Sequence, residues 1–219
     1  MNELRYTLVS DGSSDRALLP ILSWLLRQHR VMCLIQPEWA DLRWLPNPPK
    51  DLSSKIEQSL DYYPCNLLFV HRDAEKRAGK LSYIQRKTEI INALAHIDLT
   101  QTQSICVVPV RMTEAWLLIN EAALRRAAGN ANGQKPLPLP DPSMLEQHID
   151  PKRLLYGLLK DASELTGRRL RNFPVSQSAL LVAEFIDDFS LLRNLSAFRS
   201  LEADLKEIVT LKQWADPIP

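Results

Sequence analysis

Two rhythms of apolar residues alternate along the first half of the chain. Short runs of strand length and composition occur at Arg5-Tyr6-Thr7-Leu8-Val9-Ser10, from Val31 to Ile35, at Asn66-Leu67-Leu68-Phe69-Val70, and from Ser104 through Val110. Between them, apolar residues recur at three-and-four spacing. Ala17, Leu18, Ile21, Leu22, Leu25 and Leu26 give one helix face, and Leu52, Ile56 and Leu60 fall at i, i+4 and i+8 of a helix over 51–60. Ile84, Ile90, Ile91 and Leu94 mark a further helix ending near Ala95, and Thr113 is placed to cap a helix that is apolar on most sides from Ala115 to Ala123. Strands alternating with helices are the habit of a parallel sheet covered by helices.

Prolines divide the pattern. Trp39, Trp44, Pro46, Pro48 and Pro49 mark a stretch expected to be a loop or lid, because proline suits neither a helix interior nor a central strand. Residues 129–142 are rich in Gly, Asn and Pro, with proline at every second position from Pro136 to Pro142, which predicts a linker. Beyond it the pattern is helical, over 151–165, 177–185 and 201–214. The expected organisation is an α/β core over 1–128, a linker over 129–142 and a helical C-terminal region over 143–219.

The strand ends carry the chemistry. The first run stops at Asp11 and is followed by Gly12 and Asp15; the third is followed by Asp73 and Glu75; the fourth is followed within four residues by Glu114. Ligands of open α/β sheets bind outside the carboxyl ends of the strands, so acids repeated there can converge although far apart in sequence. Converging carboxylates repel one another unless a cation or a shared proton joins them, and a hard, magnesium-like ion is the simplest resolution. Each feature also has a plain structural account. Asp15 and Glu114 fall in first helical turns, where an acid is favoured by the dipole. The Gly12-Ser13-Ser14 segment suits an anion nest, and Asp73 and Glu75 can be neutralised by Arg72, Lys76 and Arg77. That basic cluster, together with Lys80, is also suited to gripping a phosphate. His71 is read as a supporting residue, His29, His96 and His148 as surface or capping residues, and Arg168, Arg169 and Arg171 as a solvent-facing cluster. Trp39 and Trp44 suit either base stacking or ordinary anchoring of a loop.

Composition narrows the classes. In 219 residues, 45% hydrophobic and 24% charged residues describe a globular chain, and a net charge of +1 excludes a strongly basic footprint outside a local patch. Cys33, Cys65 and Cys106 are too scattered for a disulfide framework or a zinc site, which fits a reducing compartment. Glu3 and Arg5 lead straight into a strand with no signal-peptide core, and no apolar run reaches the ~18 residues of a membrane span, so a cytoplasmic location without membrane contact is expected.

The motifs resemble a known family. Leu-Val-Ser-Asp-Gly-Ser-Ser-Asp (residues 8–15) resembles the first Toprim motif, a Glu-Gly-x-x-Asp after the first strand, and Leu-Phe-Val-His-Arg-Asp-Ala-Glu (68–75) resembles its Asp-x-Asp motif. Val-Pro-Val-Arg-Met-Thr-Glu-Ala-Trp-Leu-Leu (108–118), Pro-Lys-Arg-Leu-Leu (151–155) and Phe-Ser-Leu-Leu-Arg-Asn-Leu-Ser-Ala-Phe (189–198) are similar to segments of a domain-of-unknown-function group of small Toprim-like proteins, often found beside ATPase genes in bacterial phage-defence loci. Asp11 stands where that motif has Glu, and Glu75 where it has Asp. The resemblance implies a Toprim-like four-stranded parallel sheet flanked by helices, with a helical C-terminal extension. It implies a magnesium- or manganese-dependent nuclease acting with an ATPase partner against phage. In that scheme Asp73, Glu75 and Glu114 hold the metal, Asp11 and Asp15 are catalytic, and Gly12, Arg72, Lys76 and Arg77 bind the nucleic-acid substrate. Two alternatives stand beside it: a noncatalytic interaction protein with a degenerate site, and a small phosphohydrolase or nucleotide-binding module.

Overall fold

The computed structural model of the protein describes residues 2–74 and 80–215. Four parallel strands, β1 (Glu3–Val9), β2 (Leu34–Trp39), β3 (Leu67–His71) and β4 (Gln103–Val107), form one sheet in the order β2-β1-β3-β4. The intervening helices are α1 (Leu18–Gln28), α2 (Leu52–Tyr62) and α3 (Lys80–Leu94). After β4 come α4 (Glu121–Ala127), α5 (Pro151–Ser163), α6 (Gly167–Arg171), α7 (Val175–Glu184) and α8 (Ser196–Leu211). Short 3-10 turns occupy Ser13–Ala17 and Thr113–Leu117. The α/β class with four parallel strands flanked by helices is the architecture that the alternating pattern predicts.

Both faces of β3 and of the Tyr6 to Val9 part of β1 are covered, and β3 accordingly reads as a continuous apolar run. Leu4, Tyr6, Leu8, Leu67 and Phe69 point into a large cluster with α1. Val9, Leu68 and Val70 point the other way, against Ile56 of α2 and Ile90 of α3. The buried Tyr6 hydroxyl is satisfied by the Leu19 carbonyl at 2.7 Å and Ser23 Oγ at 2.8 Å. Helices α5, α7 and α8 share the α1-side cluster through Leu155, Val182 and Leu205. The fully buried Trp116 packs edge-on against Phe198 of α8, with ring centroids 5.3 Å apart.

Three local expectations differ. The second strand lies at 34–39 rather than 31–35, and Trp39 is its last residue rather than part of the loop. Pro37 sits within it because β2 is an edge strand, where a missing N–H need not break a ladder. The apolar stretch 113–123 is not one helix. Met112, rather than Thr113, occupies the N-cap of the 3-10 turn, and the chain restarts at Asn120, whose side chain accepts from the Ala123 N–H at 2.9 Å and caps α4. Among the described residues no helix is long and apolar enough to cross a membrane.

Candidate functional site

The connection from β1 to β2 runs to one side of β1, while β3 pairs with its other side, so the chain reverses direction across the sheet between β1 and β3. In an open parallel sheet this reversal opens a crevice at the carboxyl ends. Asp11 and Asp15 follow β1, Asp73 follows β3, and Glu114 follows β4 by way of the 113–117 turn.

Asp15 is 7% exposed. Its carboxylate accepts from the Gly12 N–H at 2.9 Å, and its own N–H donates to the Gly12 carbonyl at 3.2 Å. The nest expected at Gly12 is thus filled by Asp15 itself. Gly12 has an ordinary extended backbone, so its conformation does not require glycine.

His71, the last residue of β3, is 2% exposed. Its Nδ1–H donates to the Val107 carbonyl at 2.9 Å, which fixes the ring and turns Nε2 toward the acids. Nε2 lies 3.3 Å from Thr113 Oγ1, 3.5 Å from Asp73 Oδ1 and 3.8 Å from Asp15 Oδ1. A proton on Nε2 would be shared between carboxylates from two strands. His71, expected only as a supporting residue, has its imidazole between the two motifs.

Asp73 accepts from the Thr113 N–H at 3.0 Å. That N–H is delivered by a turn in which Arg111 has φ +82°, a left-handed conformation costing a non-glycine residue roughly 1–2 kcal/mol. Burial pushes the Asp73 carboxyl up to about 6. The charge of His71 opposes that rise, and those of Asp15 and Glu114 add to it.

The other acids are met by the protein's own cations. Lys55 Nζ lies 2.7 Å from Asp11 Oδ1 and Arg72 Nε lies 3.1 Å from Asp11 Oδ2. Burial alone would raise the Asp11 carboxyl, but the Lys55 hydrogen bond and the Arg72, Lys55 and His71 charges outweigh it and hold the group below its ordinary value. Arg72 also reaches Glu89 at 3.2 Å, so this expected substrate cation bridges two acids. Glu114, 6% exposed, is paired with Lys152 of α5 at 3.1 Å. A cleft of about 90 Å³ opens beside it, lined by Ser13, Ser14, Thr113, Glu114, Tyr156 and Ser176 among others. The expected ligand Glu75 and the expected phosphate contacts Lys76 and Arg77 lie outside the described residues.

No family model, curated protein or solved structure matches the chain.

Among the described residues, no three His, Cys, Asp or Glu side chains are placed as a set to hold one ion. Magnesium does not need such a cage. It is usually held by one or two carboxylates, with waters and substrate phosphate completing the shell. Asp15 and Asp73, hard oxygen donors facing one imidazole nitrogen, fit that requirement. Lys55 and Lys152 were not found by sequence reasoning. Each is brought to its acid by the packing of a helix whose apolar pattern says nothing about its charged partners.

Proposed function

We propose that the protein is a Toprim-like, metal-dependent nuclease that hydrolyses phosphodiester bonds at the carboxyl edge of the sheet. The observation that carries this reading is Asp73: a carboxylate at the crevice, raised to about 6 by burial and by the neighbouring acids Asp15 and Glu114. A structural acid gains nothing from such surroundings, whereas a ligand awaiting a cation does.

Asp73 and Asp15 would hold Mg2+ or Mn2+, with Glu75 adjoining in sequence. The bound ion would polarise a phosphoryl oxygen and lower the pKa of a coordinated water. The Thr113 N–H keeps Asp73 Oδ1 oriented, and the Gly12 N–H does the same for Asp15 Oδ2. His71 Nε2 is placed to hold a proton between Asp15 and Asp73 and to pass it to either oxygen. Asp11 remains at the rim with Lys55 and Arg72, and substrate phosphate would compete with it for these two cations. Nucleic acid is the substrate in this reading. An ATPase partner and a role in phage defence come from the motif resemblance alone. Metal-dependent cleavage of DNA or RNA that Asp73→Asn abolishes, with its circular dichroism unchanged, is the supporting result. No cleavage by the native protein with Mg2+ or Mn2+, with or without an ATPase, would reject the reading.

One observation favours a second reading. Asp11 and Glu114 are already neutralised by Lys55, Arg72 and Lys152, as in a noncatalytic interaction protein that keeps the fold and has lost the chemistry. Stable partner binding with no turnover in any metal would select it.

A further inference from the structure

Beside the acids, the β2 end of the crevice carries aromatic rings and arginines that phosphodiester chemistry alone does not explain. Trp39 closes β2, and its indole Nε1–H donates to Ser10 Oγ at 2.9 Å, the residue directly before Asp11. The guanidinium groups of Arg16 and Arg43 lie 5.8 and 5.0 Å from its ring centroid. Further along the proline-rich loop Trp44 is 59% exposed. It meets Tyr62 of α2, 52% exposed, with centroids 5.2 Å apart and planes at 76°. The loop is tied down: the Tyr63 hydroxyl donates to the Asp41 carbonyl at 3.1 Å, and the Trp44 indole N–H reaches the same hydroxyl at 3.4 Å.

Two large rings left in water, one on an anchored loop and one at the end of α2, form a surface rather than a core. We propose that Trp39, Trp44 and Tyr62, with Arg16 and Arg43, form a binding ridge for single-stranded nucleic acid that leads the strand to Asp11, Asp15 and Asp73. The inference rests on the phosphodiester reading and names its substrate class. Aromatic faces bind unstacked bases of any sequence, and arginines beside the rings bind the phosphates between them. A duplex hides its base faces and can use only the cations. Of the two cations, Arg16 is the one open to phosphate. Asp41 engages Arg43 through two hydrogen bonds of 2.7 Å, while among the described residues Arg16 forms no ion pair and rests on Trp39. Continuity with the acid site is covalent as well as hydrogen-bonded, since Ser10 and Asp11 are adjacent. The net charge of +1 also fits, because stacking needs no strongly basic surface.

The test uses the full chain in excess EDTA, so that binding is read without turnover. A labelled oligothymidylate and a blunt DNA duplex of equal length are titrated, following anisotropy and tryptophan fluorescence. The single strand should bind more tightly than the duplex and quench tryptophan emission. Trp44→Ala and Tyr62→Ala should each weaken it by about 5- to 150-fold. Arg16→Ala should reduce the salt dependence, and Ile149→Ser, at an exposed apolar residue lining a different groove, should change nothing. Equal binding of duplex and single strand, or unchanged affinity in folded Trp44→Ala and Tyr62→Ala, would overturn the ridge. So would the absence of single-strand binding. If metal-dependent cleavage persists in that case, the ridge fails and the nuclease reading stands. Ridge-dependent binding with no cleavage in Mg2+ or Mn2+ has the opposite meaning.

Discussion

Strands β1 and β3 are neighbours in the sheet, and each ends in an aspartate at the same crevice, yet the two carboxylates live in opposite fields. Asp11 is about half exposed and held by Lys55 and Arg72, which lower its pKa. Asp73 is half-buried beside the 113–117 turn, faces Asp15, Glu114 and the His71 imidazole, and is raised to about 6. Residue type and position in the fold are nearly the same; only the neighbours differ. An acid at a strand end is therefore not by itself a ligand. The one with no Lys or Arg partner among the described residues is the candidate for a cation or proton, and the paired one marks the rim.

The largest effect should come from removing the charge of Asp73. Asp73→Asn is expected to reduce metal-dependent cleavage by at least about 10²-fold, measured as kcat/KM under saturating Mg2+. The same variant should be more stable than the native protein in neutral and alkaline buffer. The folded state binds the Asp73 proton more tightly than the unfolded chain does. The group thus costs nothing below about pH 4, and costs progressively more as pH rises through about 6. Relief of up to about 3 kcal/mol at pH 8, vanishing at pH 4, should appear in urea unfolding without added metal. A substitution that destabilises equally at both pH values would show that Asp73 is an ordinary structural acid.

Lys152→Met tests whether Glu114 belongs with Asp11 or with Asp73. Stripping the buried carboxylate of its ammonium should cost about 1–3 kcal/mol, and adding Glu114→Gln should recover part of that loss in a double-mutant cycle. Additive effects would break the pairing. The smallest change is expected at the rim. Lys55→Met should cost no more than about 1 kcal/mol, because the pair is half exposed. It should return the Asp11 titration, followed by carboxyl NMR, toward the ordinary range. The loss should be present at neutral pH and fade in acid, where native Asp11 also becomes protonated and releases Lys55.

The sheet was legible because β1, β3 and β4 are short, largely apolar runs bounded by polar turns; the ends of β1 and β3 fall within two residues of the pattern, and β4 stops at Val107, three residues before the expected Val110. Strand β2 was misplaced because an exposed edge strand containing Pro37 carries little apolar signal. The Asn120-Glu121 pair that restarts the chain as α4 was present as a capping signal within the apolar stretch, but burial of Trp116 to Ile119 masked the break. At the site, the acids were legible from their positions after strands. Their partners were not: Lys55 and Lys152 sit on helices whose faces are chosen by packing, and the role of His71 depends on the Val107 carbonyl of the next strand. Pair electrostatics is a property of the folded neighbourhood, which periodicity does not encode.

On the proposed function, Asp73 and Asp15 hold one hard cation. Calorimetric titration of Mn2+ or Mg2+ into the metal-free native protein and into Asp73→Asn tests it most directly. Uptake by the native protein alone is predicted, with proton release that is large near pH 6 and shrinks as the buffer is raised toward pH 8. No uptake by the native protein, or equal uptake by the variant, would contradict the account.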